Sequence, residues 1–173
     1  MNPVLRQLML AALAATALTG CGQSATSTAV APLEISQGTS CALDGMLLAD
    51  YPGPKAQIHY AGQAVPDFFC DTVEMFHIYL NPEQVRAVRG LFVQDMGRAD
   101  WDEPRGHWID AKNAYYVHGS KRRGSMGPTI ASFALEADAA KFAAEYGGKV
   151  YRFADITPDM VALDGGALHD SSM

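Results

Sequence analysis

A chain of 173 residues with 49% hydrophobic and 18% charged side chains holds enough apolar material for a packed core and lies far from the charge-rich composition of disordered chains. Its formal charge of −6 argues against a nucleic-acid surface, which needs clustered Lys and Arg in a net positive field. The basic cluster Lys121-Arg122-Arg123 reads as a charged turn.

The first twenty residues form an export leader. Arg6 supplies the positive start, and Leu8 to Leu18 is an apolar run of signal-peptide length, too short to span a bilayer. The run ends in Leu18-Thr19-Gly20-Cys21, which resembles the lipobox of bacterial lipoproteins, so Cys21 is the expected lipidation site. Acyl chains would anchor the chain without a spanning helix. Removing the leader takes away Arg6 and leaves 12 basic against 19 acidic side chains, a balance of −7. Gly22 rather than Asp follows Cys21, so the usual inner-membrane retention signal is missing and either membrane is open. Residues 21–40, rich in Ser, Thr, Ala and Gln, read as a flexible tether with a reach of roughly two nanometres.

Beyond Tyr51 the same order of elements is expected twice, giving an α+β chain of two small duplicated ββαβ subdomains over 41–110 and 111–173. In the first, Gln57–Tyr60 and Val65–Phe69 read as a hairpin around Ala61-Gly62-Gln63. Asp71 or Thr72 caps a helix that carries Glu74 in its first turn and Val73, Phe76 and Leu80 on one face. Pro82 ends or kinks it, and Val88–Val93 closes the unit as a strand. In the second, Ala114–Val117 and Ile130–Leu135 are strands flanking a polar loop from Gly119 to Gly127. Glu136–Tyr146 is an Ala-rich helix ended by Gly147-Gly148, and Val150–Phe153 is the last strand. A short helix from Thr157-Pro158 to Leu163 and a loose tail after Gly165 finish the chain.

Hydrolase elbows, phosphate-cradling loops and zinc-type Cys/His spacings are absent from the sequence, whereas soft sulfur is prominent. With Cys21 used by lipid, Cys41 and Cys70 remain. Cys41 opens a short loop with Gly45-Met46, and Met126 sits between glycines in Gly124-Ser125-Met126-Gly127-Pro128. Thiolate, thioether and imidazole together suit Cu(I). His118 is the chosen imidazole among five His residues, because it ends a strand and opens the loop carrying Met126. Asp44 and Asp71 could orient such a His. Two alternatives stay open for the thiols: a Cys41–Cys70 disulfide, as an oxidising compartment permits, or two free groups.

Lipobox Cys21, Cys41 with Gly45-Met46, Phe69-Cys70-Asp71, Ser125-Met126-Gly127-Pro128 and Gly147-Gly148-Lys149-Val150 together resemble the NosL family of nitrous oxide reductase accessory proteins, over essentially the whole chain from Cys41 to Ile156. The resemblance implies a periplasm-facing, lipid-anchored metallochaperone, not an enzyme. Such a protein holds one Cu(I) through Cys, Met and His ligands and supplies nitrous oxide reductase and its maturation partners during denitrification. It also implies an organomercurial-lyase-like fold. Copper ligation falls on Cys41, Met46 and Met126. Where many relatives have a second Cys directly before Gly-Met, this chain has Asp44, so a further ligand must come from His118, Cys70, His77, another His or the client. Two rival readings are a lyase or thiol oxidoreductase using Cys41 and Cys70, and a metal-free tethered adaptor whose Met residues only pack.

Overall fold

The computed structural model describes residues 30–163; the leader, Cys21, the first part of the tether and the tail after Gly165 lie outside the described residues. Two antiparallel sheets and two helices make up the framework. β1 (Ala56–Tyr60) is the inner strand of the first sheet, buried along its whole length, with β2 (Asp67–Phe69) on one side and β3 (Val88–Gln94) then β4 (Trp108–Asp110) on the other. In the second sheet β5 (Tyr115–His118) is central. A two-residue hairpin, β6 (Arg123–Gly124) and β7 (Gly127–Pro128), precedes β8 (Ala131–Phe133), which borders β5 on one side, while β9 (Lys149–Arg152) borders it on the other.

Helix α1 (Thr72–Leu80) starts where the sequence places it. The Asp71 carboxylate accepts the Val73 N–H at 2.9 Å, and the Glu74 carboxyl reaches back to the Asp71 N–H at 3.3 Å, which completes a capping box. The helix stops at Asn81, before Pro82, whose ring cannot continue it. Helix α2 (Glu136–Tyr146) ends at Gly147, whose φ of 78° suits a residue without a Cβ, and whose N–H bonds the Ala143 carbonyl. α1 lies against β1 and β2, and α2 lies against β5, β8 and β9.

Both faces of β5 are buried, so alternate residues feed different clusters. Tyr116 joins Ile58, Phe69, Phe76, Ile130, Ile156 and Val161 in the larger core, while Val117 joins Ala131, Phe133 and Ala139 in the smaller one. The larger core therefore takes side chains from both sides of the boundary expected at residues 110 and 111. Side-chain bonds to backbone across the halves reinforce it: Thr72 Oγ1 donates to the Ile130 carbonyl, and Ser132 Oγ donates to the Gln94 carbonyl at 2.6 Å.

Several boundaries differ from expectation. Pro66 has no N–H to give a ladder, so β2 begins at Asp67 and Val65 is left exposed. The loop expected over 119–127 folds into the β6–β7 hairpin, with Gly127 at φ 99°. β4, unforeseen, is only three residues long and pairs at the sheet edge. The last helix is a single 3₁₀ turn, Pro158–Val161. The stretch expected as tether to Ser40 is, from Leu33, bound to the first sheet. The Gln57 amide accepts the Leu33 N–H at 2.9 Å and donates to the Leu33 carbonyl at 2.9 Å, as a neighbouring strand would, and Ile35 is buried. No helix among the described residues is long and apolar enough to cross a membrane.

Tyr116 tests the shared core. Its hydroxyl donates to the Ala111 carbonyl at 2.6 Å, and burial holds its pKa well above the ordinary 10.0. Tyr116→Phe should lower stability by about 1–3 kcal/mol, because a buried carbonyl loses its donor. The native state keeps this proton after the unfolded chain has ionised, so the stabilisation is present below pH 10 and is lost as pH rises beyond it. Urea unfolding at pH 8 and pH 10.5 should show the gap between wild type and variant narrowing at the higher pH.

Candidate metal centre

Cys41 is presented by a tight loop closed by the bridge between Ser40 and Leu47. The Cys41 N–H donates to the Met46 carbonyl at 2.8 Å and the Gly45 N–H returns to the Cys41 carbonyl at 3.0 Å. Gly45 sits at φ 79°, the left-handed region that side chains avoid. The Asp44 carboxylate accepts the Met46 N–H at 3.0 Å, an Asx-type turn that reinforces the bend. The Ala42 N–H donates to the Phe68 carbonyl at 2.7 Å, which hangs the loop on the end of β2.

Cys70 occupies the joint between β2 and α1. Its carbonyl accepts from Lys55 Nζ at 3.0 Å and from Ser125 Oγ at 2.7 Å. Lys55 is fully buried, and desolvation lowers its pKa to about 8. The Ser125 bond brings the tip of the β6–β7 hairpin, and with it Met126, to the same joint. That approach is close: a Cβ on Gly124 would collide with Asp71 Oδ2 and lie 2.9 Å from Thr129 Cβ, and one on Gly53 would lie 2.7 Å from the Gly124 Cα.

Here the two thiols meet. Cys41 and Cys70 are free and buried, so of the two alternatives left by the sequence the structure takes the unbridged one. Glu74 Oε2 lies 3.3 Å from Cys41 Sγ and 3.3 Å from Cys70 Sγ. Ligand atoms of Cys41, Asp44, Cys70 and Glu74 all fall within 4.8 Å of one another. Hydrogen bonding from the Cys70 thiol, helped by backbone N–H groups, pulls the Cys41 pKa down to about 6 against the opposing effect of burial. The same bond raises Cys70, which must keep its proton to donate, and burial raises it further. Burial, then the negative charge of Cys41, pushes Glu74 up to about 7.

The predicted ligands fare differently. Cys41 is in the group, and Met46 stands in the same loop, half-buried against the core. Met126 is 49% exposed at the hairpin tip beside Ser125. His118 is not a member of the group: it pairs with Lys149 at the end of β5, with its ring edge-on to Tyr151 at 6.3 Å. His77 Nδ1 lies 3.2 Å from the Val161 carbonyl, at the other end of α1. Asp71 has no hydrogen bond to a His: its Oδ1 accepts from the Val73 N–H and from Thr129 Oγ1, and its Oδ2 is buried without a partner. Glu74 was read from sequence only as a helix-start acid. The available signal was the capping-box pattern of Asp71 with Glu74, which turns the Glu74 carboxyl back toward the residues just before α1, Cys70 among them.

Fold and group together define a small α+β protein with paired thiols suited to a soft or borderline metal ion. A family model described as NosL matches residues 32–161. The chain is 40% identical over 172 residues, 94% of its length and 87% of the relative's, to the copper-binding lipoprotein NosL of Stutzerimonas stutzeri. It is 43% identical over 120 residues, 67% of this chain and 62% of the relative, to the copper-binding lipoprotein NosL of Achromobacter cycloclastes. The crystal structure of the copper chaperone NosL from Shewanella denitrificans superposes with a TM-score of 0.71 at 39% identity, covering 76% of this chain and 98% of that one. The chain belongs to the NosL family.

The close approach at Gly124 gives a direct check on how the hairpin is seated. Gly124→Ala should cost about 1–3 kcal/mol, the range for overpacking a filled site, in chemical denaturation. An unchanged midpoint would show that the hairpin stands further from Asp71 than described.

Proposed function

We propose that this chain is a carrier of copper, held as Cu(I) between Cys41 and Cys70 with thioether support from Met46 and Met126. On this reading it is tethered outside the cytoplasm through lipid on Cys21 and hands its ion to nitrous oxide reductase and the proteins that mature it. The observation that supports the reading best is the convergence of two free, buried thiols from separate segments, with one methionine in the loop of the first and another in a hairpin bonded to the second. Soft sulfur donors favour the monovalent ion over competing hard cations. The names of the relatives, copper-binding lipoprotein and copper chaperone, point the same way, and so does the leader with its lipobox.

Release follows from the difference in access. The thiols are sealed inside, while the thioether of Met126 is exposed, so a client ligand would approach from the hairpin side and take over the ion one ligand at a time. No bond of a substrate is made or broken, which makes the protein a carrier and not a catalyst.

Competition of the anaerobic protein against a Cu(I) chelator tests the ligand set. Cys41→Ser and Cys70→Ser should each weaken binding by more than the roughly 10- to 100-fold that loss of a supporting contact costs, and Met46→Leu should weaken it by about tenfold. His118→Ala should leave affinity unaltered, because its ring stands with Tyr151. Copper-loaded protein mixed with copper-free nitrous oxide reductase should restore the client's copper spectrum. Undiminished affinity in both Cys variants would reject the site, and no transfer would reject the client.

A further inference from the structure

We propose that the protein rests on a phospholipid bilayer through a tip built by the β1–β2 and α1–β3 loops, with Val65 and Val85 entering the headgroup region and the two thiols held at the opposite end of the first sheet. The proposal rests on the reading of Cys21 as the lipid anchor and adds to it a second, non-covalent contact that fixes an orientation.

Both loops lie at one end of the first sheet. Residues 61–66 join β1 to β2 there, and α1 runs back from Cys70 to the same end before residues 81–87 lead into β3. The Ala61 N–H donates to the Ala87 carbonyl at 2.8 Å. Arg86 pairs with Asp67 at 3.0 Å, and its guanidinium lies 3.5 Å from the centre of the Tyr60 ring. The loops are thus fastened to each other, yet each turns a valine to solvent: Val65 is 59% exposed and Val85 89%. Single exposed apolar side chains are ordinary, whereas apolar side chains grouped on adjoining, well-bonded loops mark a contact surface. Phe69, the neighbour of Cys70, pairs with Ala56 at the other end of β1. Four strand steps, roughly 14 Å, therefore separate the tip from the thiol end.

The route of the chain decides what covers this point. A Cβ on Gly90 would lie 3.6 Å from the Val30 Cβ, so Val30 lies over β3 beside the tip. From there the segment runs toward the thiols, bonded at Leu33 to Gln57 and at Glu34 to Trp108. The chain enters the fold at the tip end. Nine residue steps lead from Cys21 to Val30, a span of at most about 32 Å at full extension, so acyl chains on Cys21 keep this end close to the bilayer. Charge agrees. An anionic bilayer repels a chain whose balance is −7 without its leader, but at the tip Arg86 and Arg89 stand against Asp67 and Glu83, and this end meets the lipid without net repulsion. Held this way, Leu43, Leu47 and Met126, exposed around the thiols, lie on the side away from the lipid, where a protein partner has access.

Tryptophan placed at the tip tests the contact. The full chain is isolated from membranes, its Cys21 acylation is read by mass spectrometry, and it is reconstituted into vesicles of phosphatidylethanolamine and phosphatidylglycerol. Brominated phosphatidylcholine, which quenches tryptophan on contact, is included or left out. Val65→Trp and Val85→Trp report on the tip, at exposed positions that tolerate substitution. Leu135→Trp is the control, 60% exposed and next to Ala134, which bonds to Asp95 beyond the thiol end of β3; Trp101 and Trp108 set the wild-type background. The expected result is blue-shifted, bromine-quenched emission from both tip variants and unquenched emission from Leu135→Trp. A blue shift without quenching, the sign of a second copy seated on the tip, overturns the proposal. So do unshifted emission from the tip variants and equal quenching of Leu135→Trp. Acylated protein with an unquenched tip sinks the orientation and leaves the anchor standing; protein without acyl chains on Cys21 sinks the anchor reading and the proposal with it.

Discussion

The Glu74 carboxyl sits in the first turn of α1 with Oε2 3.3 Å from the Asp71 nitrogen and 3.3 Å from each of two sulfurs. A buried acid is costly unless its polar atoms find partners. This one finds them in the unpaired N–H groups of a helix start, where the backbone dipoles favour negative charge, and in thiols from two different segments. The bond that caps the helix is therefore part of the arrangement that gathers the two sulfurs. Helix α1 begins where it does, and Cys41 and Cys70 stand together, for one reason.

Around that acid the rest of the structure is a set of devices for bringing distant segments to one joint. Ser125 bonds the Cys70 carbonyl, Thr129 bonds the Asp71 carboxylate, and Thr72 bonds the Ile130 carbonyl. Each is a small hydroxyl side chain reaching from one half of the chain to the other, and a bond of this kind contributes about 1 kcal/mol net. Their collective effect is positional: they seat the hairpin carrying Met126 against the joint between β2 and α1. Gly53 and Gly124 allow the backbone approach that such seating demands.

The same geometry separates buried thiols from an exposed rim. Cys41 is drawn toward its thiolate form by Cys70 and by backbone N–H groups, while Cys70 is kept protonated as the donor. The pair is thus held without both sulfurs bearing charge in a buried place. Around the buried thiols, Leu43, Asp44, Leu47 and Met126 are exposed.

What the sequence determined by itself is what acts over a few residues. The start of α1 at Asp71 with Glu74, the end of α2 at Gly147 and the helices that follow β2 and β8 are all written in local spacing. The soft-sulfur character of Cys41, Met46 and Met126 was legible for the same reason, since it follows from residue type alone. Only the tertiary structure decided that Cys70 stands free beside Cys41 and not bridged to it, that Glu74 faces both, and that His118 turns to Tyr151 instead. It likewise decided that Leu33 and Ile35 dock on the sheet, because the side chain that holds them, Gln57, comes from another part of the chain. Local propensity reaches about one helical turn, whereas a group of side chains drawn from separate segments exists only once the core has closed and set their distances.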